Sequence, residues 1–295
     1  MDDIAEVLLR ALRTYPQYNL RYLYALLRNL KTRKIAISLI GGKVENLSAE
    51  DFETVTKSGN FLFSCSQFIL MYGTDYAKED FLNLAIGLLN RAREYLERGT
   101  CDYAVTLGDE GIARRVLAEF GIDPTLNLEL AIELCGRARR EGFIKNTQSY
   151  ALTILNESIA RRRLATFGID LMGNLETAAK LSERARREGL IKNTPDYALA
   201  LLNEGLVRLV FAEFGVSPIP NLELALELYG RARREGFIKN TQSYALTILN
   251  EGNVKTKLAE LEISSVDNLW EALELYGRAR REGLVKNTVK YDRAL

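Results

Sequence analysis

An asparagine followed by a glutamate recurs three times in this chain, and each occurrence is 47 residues from the next. The pairs are Asn156-Glu157, Asn203-Glu204 and Asn250-Glu251. A carboxylate can act as a general acid or base, but an active site is a singular feature, whereas these glutamates repeat along the chain. No second residue marks a partner for acid–base chemistry. The glutamates are therefore not predicted to be catalytic.

Other residues that commonly carry chemistry are missing or wrongly spaced. The sequence of 295 residues has no histidine, which removes the commonest general base and metal ligand and excludes Ser-His and Cys-His pairs. Gly41, Gly42 and Lys43 do not form a phosphate loop, because Ile37 and Val44 stand where glycine and serine or threonine are required. The Gly-Gly dipeptide indicates a turn. The sequence therefore predicts no enzyme activity, no catalytic residue, no metal site and no cofactor.

The three cysteines, Cys65, Cys101 and Cys135, are far apart and odd in number. This spacing argues against a disulfide framework and against a zinc site. Free cysteines are among the residues most often buried, so all three are predicted to be buried thiols.

The charges are almost balanced, with 40 basic and 39 acidic side chains and a net charge of +1. This balance argues against a nucleic-acid partner. Arginines cluster in several predicted helices, and in three of them a glutamate precedes an arginine by four residues, which stabilises a helix. The pairs are Glu133–Arg137, Glu227–Arg231 and Glu274–Arg278. The clusters are interpreted as solvated, salt-bridged faces, and the alternative is a stripe that binds phosphates or an acidic partner.

The beginning of the chain predicts no targeting segment. Residues 1–12 start with acids and predict an amphipathic helix rather than a signal peptide. No window approaches the roughly 18 apolar residues of a membrane span. A cytoplasmic location is therefore favoured. A processed N-terminus would look the same, and a processed filament subunit would be extracellular.

The strongest pattern is an internal repeat with a step of 47 residues. Four kinds of residue keep this step: Tyr103, Tyr150, Tyr197, Tyr244 and Tyr291; Asn127, Asn174, Asn221 and Asn268; Gly142, Gly189, Gly236 and Gly283; Thr147, Thr194, Thr241 and Thr288. Four markers in one register indicate an array of similar structural units.

The residue pattern within each unit predicts two helices. The first helix of one unit is predicted to run from an N-cap at Thr194 to Phe214, because its apolar residues recur at helical spacing. A loop containing two prolines follows. The second helix is predicted to begin with Asn221 as its N-cap and to end before Gly236.

Small residues mark where the two helices come close. The second helices carry Ala131/Cys135/Ala138, Ala178/Ser182/Ala185, Ala225/Tyr229/Ala232 and Ala272/Tyr276/Ala279, and the first helices carry Ser158, Gly205 and Gly252. In these residues the chain, from about residue 80 to 295, resembles the tetratricopeptide repeat family. It departs from the family in its longer unit, since the usual unit has about 34 residues, and in a tyrosine where the first helix usually has a tryptophan.

The resemblance implies an all-α fold, a right-handed solenoid of helix pairs. Residues 52–295 are predicted to form about five units of 46–47 residues that end in a half-repeat, and residues 1–51 an N-terminal helical cap. In this family the first helices line a concave face whose asparagines hold a peptide backbone. The resemblance therefore implies a groove for a peptide or partner protein at Asn156, Asn203 and Asn250. Hydrogen bonding between repeats, or plain solvation, is the alternative for these amides.

The last unit is incomplete, because Thr288 opens a first helix and Leu295 ends it after about two turns. The leading prediction is a non-enzymatic, structural protein that joins copies of itself head to tail into a filament or ring. The predicted interface contains Ile4, Leu8, Leu9, Trp270, Leu273, Tyr276, Leu284 and Tyr291. A shortened chain is the other explanation of the half-repeat, and the alternative function is a soluble adaptor with a peptide groove.

Overall fold

The computed structural model describes residue 66 and residues 79–239 and 241–282. The chain divides into two compact units, Met1–Phe143 and Ile144–Leu295, which are treated separately. The predicted cap at residues 1–51 and the predicted last half-helix lie outside the described residues. Where the structure is described, all regular secondary structure is α-helical, and none of these helices is long and apolar enough to cross a membrane.

Nine helices are described, and they alternate between first and second helices of the repeat. The first compact unit contains α1 (Glu79–Arg93), α2 (Cys101–Glu119) and α3 (Pro124–Glu141). The second contains α4 (Gln148–Thr166), α5 (Leu171–Arg187), α6 (Pro195–Glu213), α7 (Pro218–Arg234), α8 (Gln242–Glu260) and α9 (Ser265–Arg281).

Consecutive helices pack in pairs: α2 with α3, α4 with α5, α6 with α7, and α8 with α9. In the second compact unit, α5 also packs on α6 and α7 on α8, and the first helices α4, α6 and α8 contact one another in succession. The prediction of an all-α array of helix pairs is therefore confirmed for the described residues. The right-handed sense of the array stays a prediction.

The first helices begin as predicted. The hydroxyl of Thr194 accepts a hydrogen bond from the backbone N–H of Tyr197 at 3.4 Å, and α6 ends with Phe214 as its C-cap. Thr100, Thr147 and Thr241 cap α2, α4 and α8 in the same way. Each threonine satisfies one of the amide groups that lack an acceptor at a helix start.

The second helices begin earlier than predicted. The N-cap of α7 is Ser217, and Asn221 lies inside the helix, where its Nδ2 donates to the Val216 carbonyl at 2.8 Å. The prediction of Asn221 as N-cap was therefore wrong. Pro218 and Pro220 lie in the first turn, where a missing N–H removes no helical hydrogen bond. Equivalent asparagines in α3, α5 and α9 make the same bond to the preceding loop.

The repeated glycine after each second helix marks a close approach. A Cβ on Gly236 would lie 2.2 Å from the carbonyl oxygen of Thr194, and one on Gly189 would lie 2.4 Å from that of Thr147. Both distances are far below van der Waals contact. The end of each second helix can therefore touch the start of the first helix of its own unit only because this residue has no side chain.

A second close approach matches the sizes of two residues across each helix pair. A Cβ on Gly205 would lie 2.4 Å from Cε1 of Tyr229, and one on Gly252 would meet the Tyr276 ring at the same distance. In the pair α4 and α5, Ser158 faces Ser182 instead, with 2.8 Å between their hydroxyl oxygens. A large ring therefore faces a glycine, and a small residue faces a small residue.

Candidate functional site

The last described helix exposes a line of apolar side chains, Val266, Leu269, Trp270 and Leu273, here called the α9 face. Their exposed fractions are 68%, 48%, 69% and 61%. Residues three and four apart lie on the same side of a helix, so these side chains form one continuous surface. Within the described part of the chain, this surface is not covered.

One of these four positions, that of Leu269, is covered by the next first helix in α5 and α7. Leu175 in α5 corresponds to Leu269 and is fully buried, and Leu222 in α7 is fully buried as well. Around Leu175 the cover comes from α6, whose Val207, Val210 and Phe211 join it in one apolar cluster. A further first helix stacked in the same way would therefore cover Leu269. The positions of Val266 and Trp270 are exposed in α5 and α7 as well, at Met172, Ile219, Glu176 and Glu223.

Trp270 and Tyr276 differ in their availability for such a contact. Trp270 is the only tryptophan of the sequence and is exposed where Glu176 and Glu223 stand in α5 and α7. Tyr276 is half-buried, and its hydroxyl lies 2.9 Å from the Thr256 hydroxyl oxygen, inside its own helix pair. Trp270 and Leu273 are thus the more accessible members of the predicted interface.

The remaining members of the predicted interface lie outside the described residues: Ile4, Leu8, Leu9, Leu284 and Tyr291. The structure therefore brings Trp270 and Leu273 together on one surface, with Tyr276 beside them, and the participation of the other five stays a prediction.

Buried ion pairs link three second helices to the first helices that follow them, and the sequence pattern did not predict these pairs. In the second compact unit Arg186 pairs with Glu204, and Arg233 pairs with Glu251. In the first, Arg93 pairs with Glu110. Their signal was the recurrence of both residue types in register, but the two partners of each pair are 17 or 18 residues apart in sequence.

Burial gives these pairs their energetic weight. The side chains of Arg186 and Glu204 are 12% and 11% exposed. Burial raises the pKa of Glu251, and the hydrogen bond from Arg233 opposes this rise. A carboxylate withdrawn from water in this way needs its arginine, because removing one partner leaves an uncompensated buried charge.

The prediction that Arg231 pairs with Glu227 was wrong, because Arg231 pairs with a different glutamate. The Nε of Arg231 donates to Glu235, four residues later, at 3.0 Å. Arg137 and Arg278 likewise bond Glu141 and Glu282 rather than the preceding glutamates. Both choices have the same spacing in sequence, so only the direction of the arginine side chain decides between them.

The three predicted groove asparagines do not share one environment. Asn203 is buried, with 2% of its surface exposed. Its Oδ1 accepts from Nε of Arg162 at 2.8 Å, and its Nδ2 donates to the hydroxyls of Ser158 and Ser182 at 2.8 and 3.0 Å. These bonds join two repeats, which was the alternative considered for this residue.

Asn203 is therefore not on a surface that a ligand can reach, and its inclusion in the groove was wrong. Asn156 and Asn250 remain partly exposed. Their predicted role in binding a peptide or partner protein stays a prediction.

The described residues contain no cluster of three or more histidine, cysteine or acidic side chains that could hold a metal ion. Cys135 is buried as predicted, but Cys101 is exposed, because it is the first residue of α2. Desolvation, with the neighbouring Asp102, raises the pKa of the Cys101 thiol and so lowers its reactivity.

Comparison with known proteins gives no match: no protein-family model, curated protein or solved structure corresponds to the chain. The resemblance to tetratricopeptide repeats thus rests on the residues of the sequence and stays a prediction.

Proposed function

We propose that this protein is a non-enzymatic interaction protein that associates head to tail with copies of itself through the α9 face. The main observation in support of this proposal is that Leu269 is 48% exposed, whereas its equivalents Leu175 and Leu222 are fully buried. The stacking of α5 on α6 supplies a template for what covers such a face, namely another first helix.

The partner surface is proposed to be the N-terminal segment of a second copy, with Ile4, Leu8 and Leu9 facing Trp270 and Leu273. Such a contact joins two different surfaces of the same molecule. It therefore closes into a ring or continues as a filament, depending on the rotation between copies.

The expected affinity follows from the small size of the α9 face. Burying one such side chain completely contributes about 1.5–3 kcal/mol. Association costs about 4–15 kcal/mol in lost freedom of motion. Four apolar side chains alone therefore give weak association, and the mass of the assembly should depend on protein concentration.

The test is light scattering on a size-exclusion column over a concentration series, with electron micrographs of the same fractions. The wild-type chain is expected to exceed its monomer mass of 33.3 kDa as the concentration rises. The double variant Trp270→Ser/Leu273→Ser is expected to stay monomeric, because it removes two of the three most exposed apolar side chains of the α9 face. Removing residues 1–14 is expected to have the same effect.

A matched control replaces apolar residues of similar exposure elsewhere. Ile191 and Ile238 are 62% and 69% exposed in connectors between repeats. The variant Ile191→Ser/Ile238→Ser should assemble as the wild type does. A wild-type chain that stays monomeric at every concentration would contradict the proposal, and so would equal loss of assembly in the control.

The second candidate function is the soluble adaptor, which retains two partly exposed asparagines, Asn156 and Asn250. An amide can both donate to and accept from a peptide backbone. If this groove binds a partner, the variant Asn156→Ala/Asn250→Ala should lose that binding and keep its assembly state. Loss of assembly in this variant would instead count against separate roles for the two surfaces.

A further inference from the structure

One arginine beside the α9 face, Arg280, has no ion-pair partner among the described residues. Arg280 stands 47 residues after Arg233 and 94 after Arg186, in the same register of the repeat. Those two arginines form the buried pairs with Glu251 and Glu204 of the next first helix. Arg280 is half-buried and forms no ion pair or hydrogen bond with any residue that the structure describes.

The repeated ion pair defines the kind of helix that fits on this end. In the established stacking, the apolar cluster around Leu175 and the Arg186–Glu204 pair belong to the same interface between α5 and α6. A helix that covers the α9 face in the same way will bury Arg280. That helix must therefore carry an acidic residue opposite Arg280, since an unpaired buried charge is strongly unfavourable.

In three of the four described first helices this acidic residue belongs to a recognisable pattern; in α2, Gly108 stands two positions before Glu110. An apolar residue stands two positions before the glutamate, and a basic residue stands four positions after it, as in Leu155-Glu157-Arg161, Leu202-Glu204-Arg208 and Leu249-Glu251-Lys255. Among the acidic residues that precede α1, only Glu6 has this pattern, with Ile4 before it and Arg10 after it.

We propose that Arg280 forms an ion pair with Glu6 of a second copy and that this pair fixes the register of the head-to-tail contact. This inference rests on the proposed function above. It assigns the apolar α9 face a charged partner and explains how a small surface selects one helix. Electrostatic pairs of this kind contribute specificity and suppress wrong partners.

The test measures the dissociation constant of self-association by dilution and light scattering for four variants. Arg280→Glu and Glu6→Arg are each expected to weaken association by at least about 30-fold, as for truncation of one partner of a buried charge pair. The double variant Glu6→Arg/Arg280→Glu is expected to regain most of the affinity, because the charges are exchanged. Arg281→Glu is the matched control, since it makes the same charge change at the next, exposed residue.

Thermal unfolding separates this contact from a role inside one chain. Arg280→Glu should keep the wild-type melting temperature at a concentration where the protein is monomeric, whereas Arg233→Glu should lower it by breaking the pair with Glu251. Equal destabilisation by both substitutions would place the partner of Arg280 within its own chain and overturn the inference.

The remaining outcomes also decide the matter. Wild-type protein that never associates refutes the proposed function itself. Wild-type association that Arg280→Glu leaves unchanged, or that Arg281→Glu weakens equally, refutes the ion pair and leaves the apolar contact standing. Failure of the charge exchange to restore affinity overturns the assignment of Glu6.

Discussion

The contact between Gly205 and the ring of Tyr229 gives the sharpest test of how two helices of one unit pair. A Cβ on Gly205 would lie 2.4, 2.8 and 3.1 Å from three atoms of that ring. Tyr229 has no exposed surface, so the ring cannot swing away into solvent. The substitution Gly205→Ala is therefore expected to force α6 and α7 apart.

Two opposing effects determine how much Gly205→Ala changes the free energy of unfolding. Replacing glycine by alanine inside a helix normally raises this free energy by about 1 kcal/mol. Overpacking a well-packed interior costs about 1–3 kcal/mol, and a contact at 2.4 Å belongs at the upper end. Gly205→Ala is thus expected to lower the free energy of unfolding by about 1–2 kcal/mol.

The effect of Gly205→Ala on the free energy of unfolding should change sign when the ring of Tyr229 is removed. In the Tyr229→Ser background the added methyl group meets no ring, so Gly205→Ala should raise the free energy of unfolding by up to about 1 kcal/mol. The four proteins of this double-mutant cycle are compared by urea unfolding followed by circular dichroism. Additive effects in the two backgrounds would refute the steric argument.

Gly230→Ala is the matched control in the same helix pair. Its Cβ would meet only the mobile end of the Arg234 side chain, at 3.2 Å. It should raise the free energy of unfolding in both backgrounds. Destabilisation by Gly230→Ala would indicate that α7 rejects any added methyl group, and the effect at Gly205 would then say nothing specific about Tyr229.

Three further predictions concern buried and exposed polar groups. Tyr229→Phe should raise the free energy of unfolding by about 1 kcal/mol in urea unfolding, because the buried hydroxyl has no hydrogen-bond partner among the described residues; a loss of stability would contradict this. Asn203→Ala should lower that free energy by about 1–3 kcal/mol, since it leaves buried partners unsatisfied. Asn156→Ala should change the free energy of unfolding by less than about 0.5 kcal/mol. Equal destabilisation by Asn156→Ala and Asn203→Ala would refute the conclusion that the two asparagines have different environments. The reactivity of the cysteines is measured by alkylation at pH 8 and peptide mass spectrometry. Cys101 should react more slowly in the native protein than in the urea-unfolded chain, because the pKa of its thiol is raised. Cys135 is buried and should stay unmodified until the protein unfolds. Rapid labelling of native Cys135 would show that α3 opens.

Helix limits could be predicted from sequence where the signals are local. Thr194, followed by a proline and an aspartate, marks the start of α6 with three agreeing signals. The start of α7 was missed because Asn221 and the two prolines are ambiguous: an asparagine also suits a cap, and prolines also suit a loop. The choice depended on a bond from Asn221 to the preceding loop, which local propensity does not contain.

The candidate site was only partly predictable. Trp270 was predicted from the sequence to lie in the interface, and it stands where the equivalent residues Glu176 and Glu223 are glutamates. Arg280 belongs to an arginine cluster that was interpreted as a solvated face, because Arg278 in the same cluster lies four residues after Glu274. The role proposed for Arg280 depends instead on Arg186 and Arg233, which pair with glutamates of the next first helix.

The sequence by itself determined the period of 47 residues, the helical character of both halves of each unit and the caps of the first helices. These properties depend on contacts within about one turn or on periodicity, which a single sequence displays. Only the tertiary structure decided that Asn203 lies between repeats, that Gly205 faces Tyr229 and that Arg186 reaches Glu204. Those contacts join residues 18 to 45 positions apart, and they depend on how the helices are placed against one another.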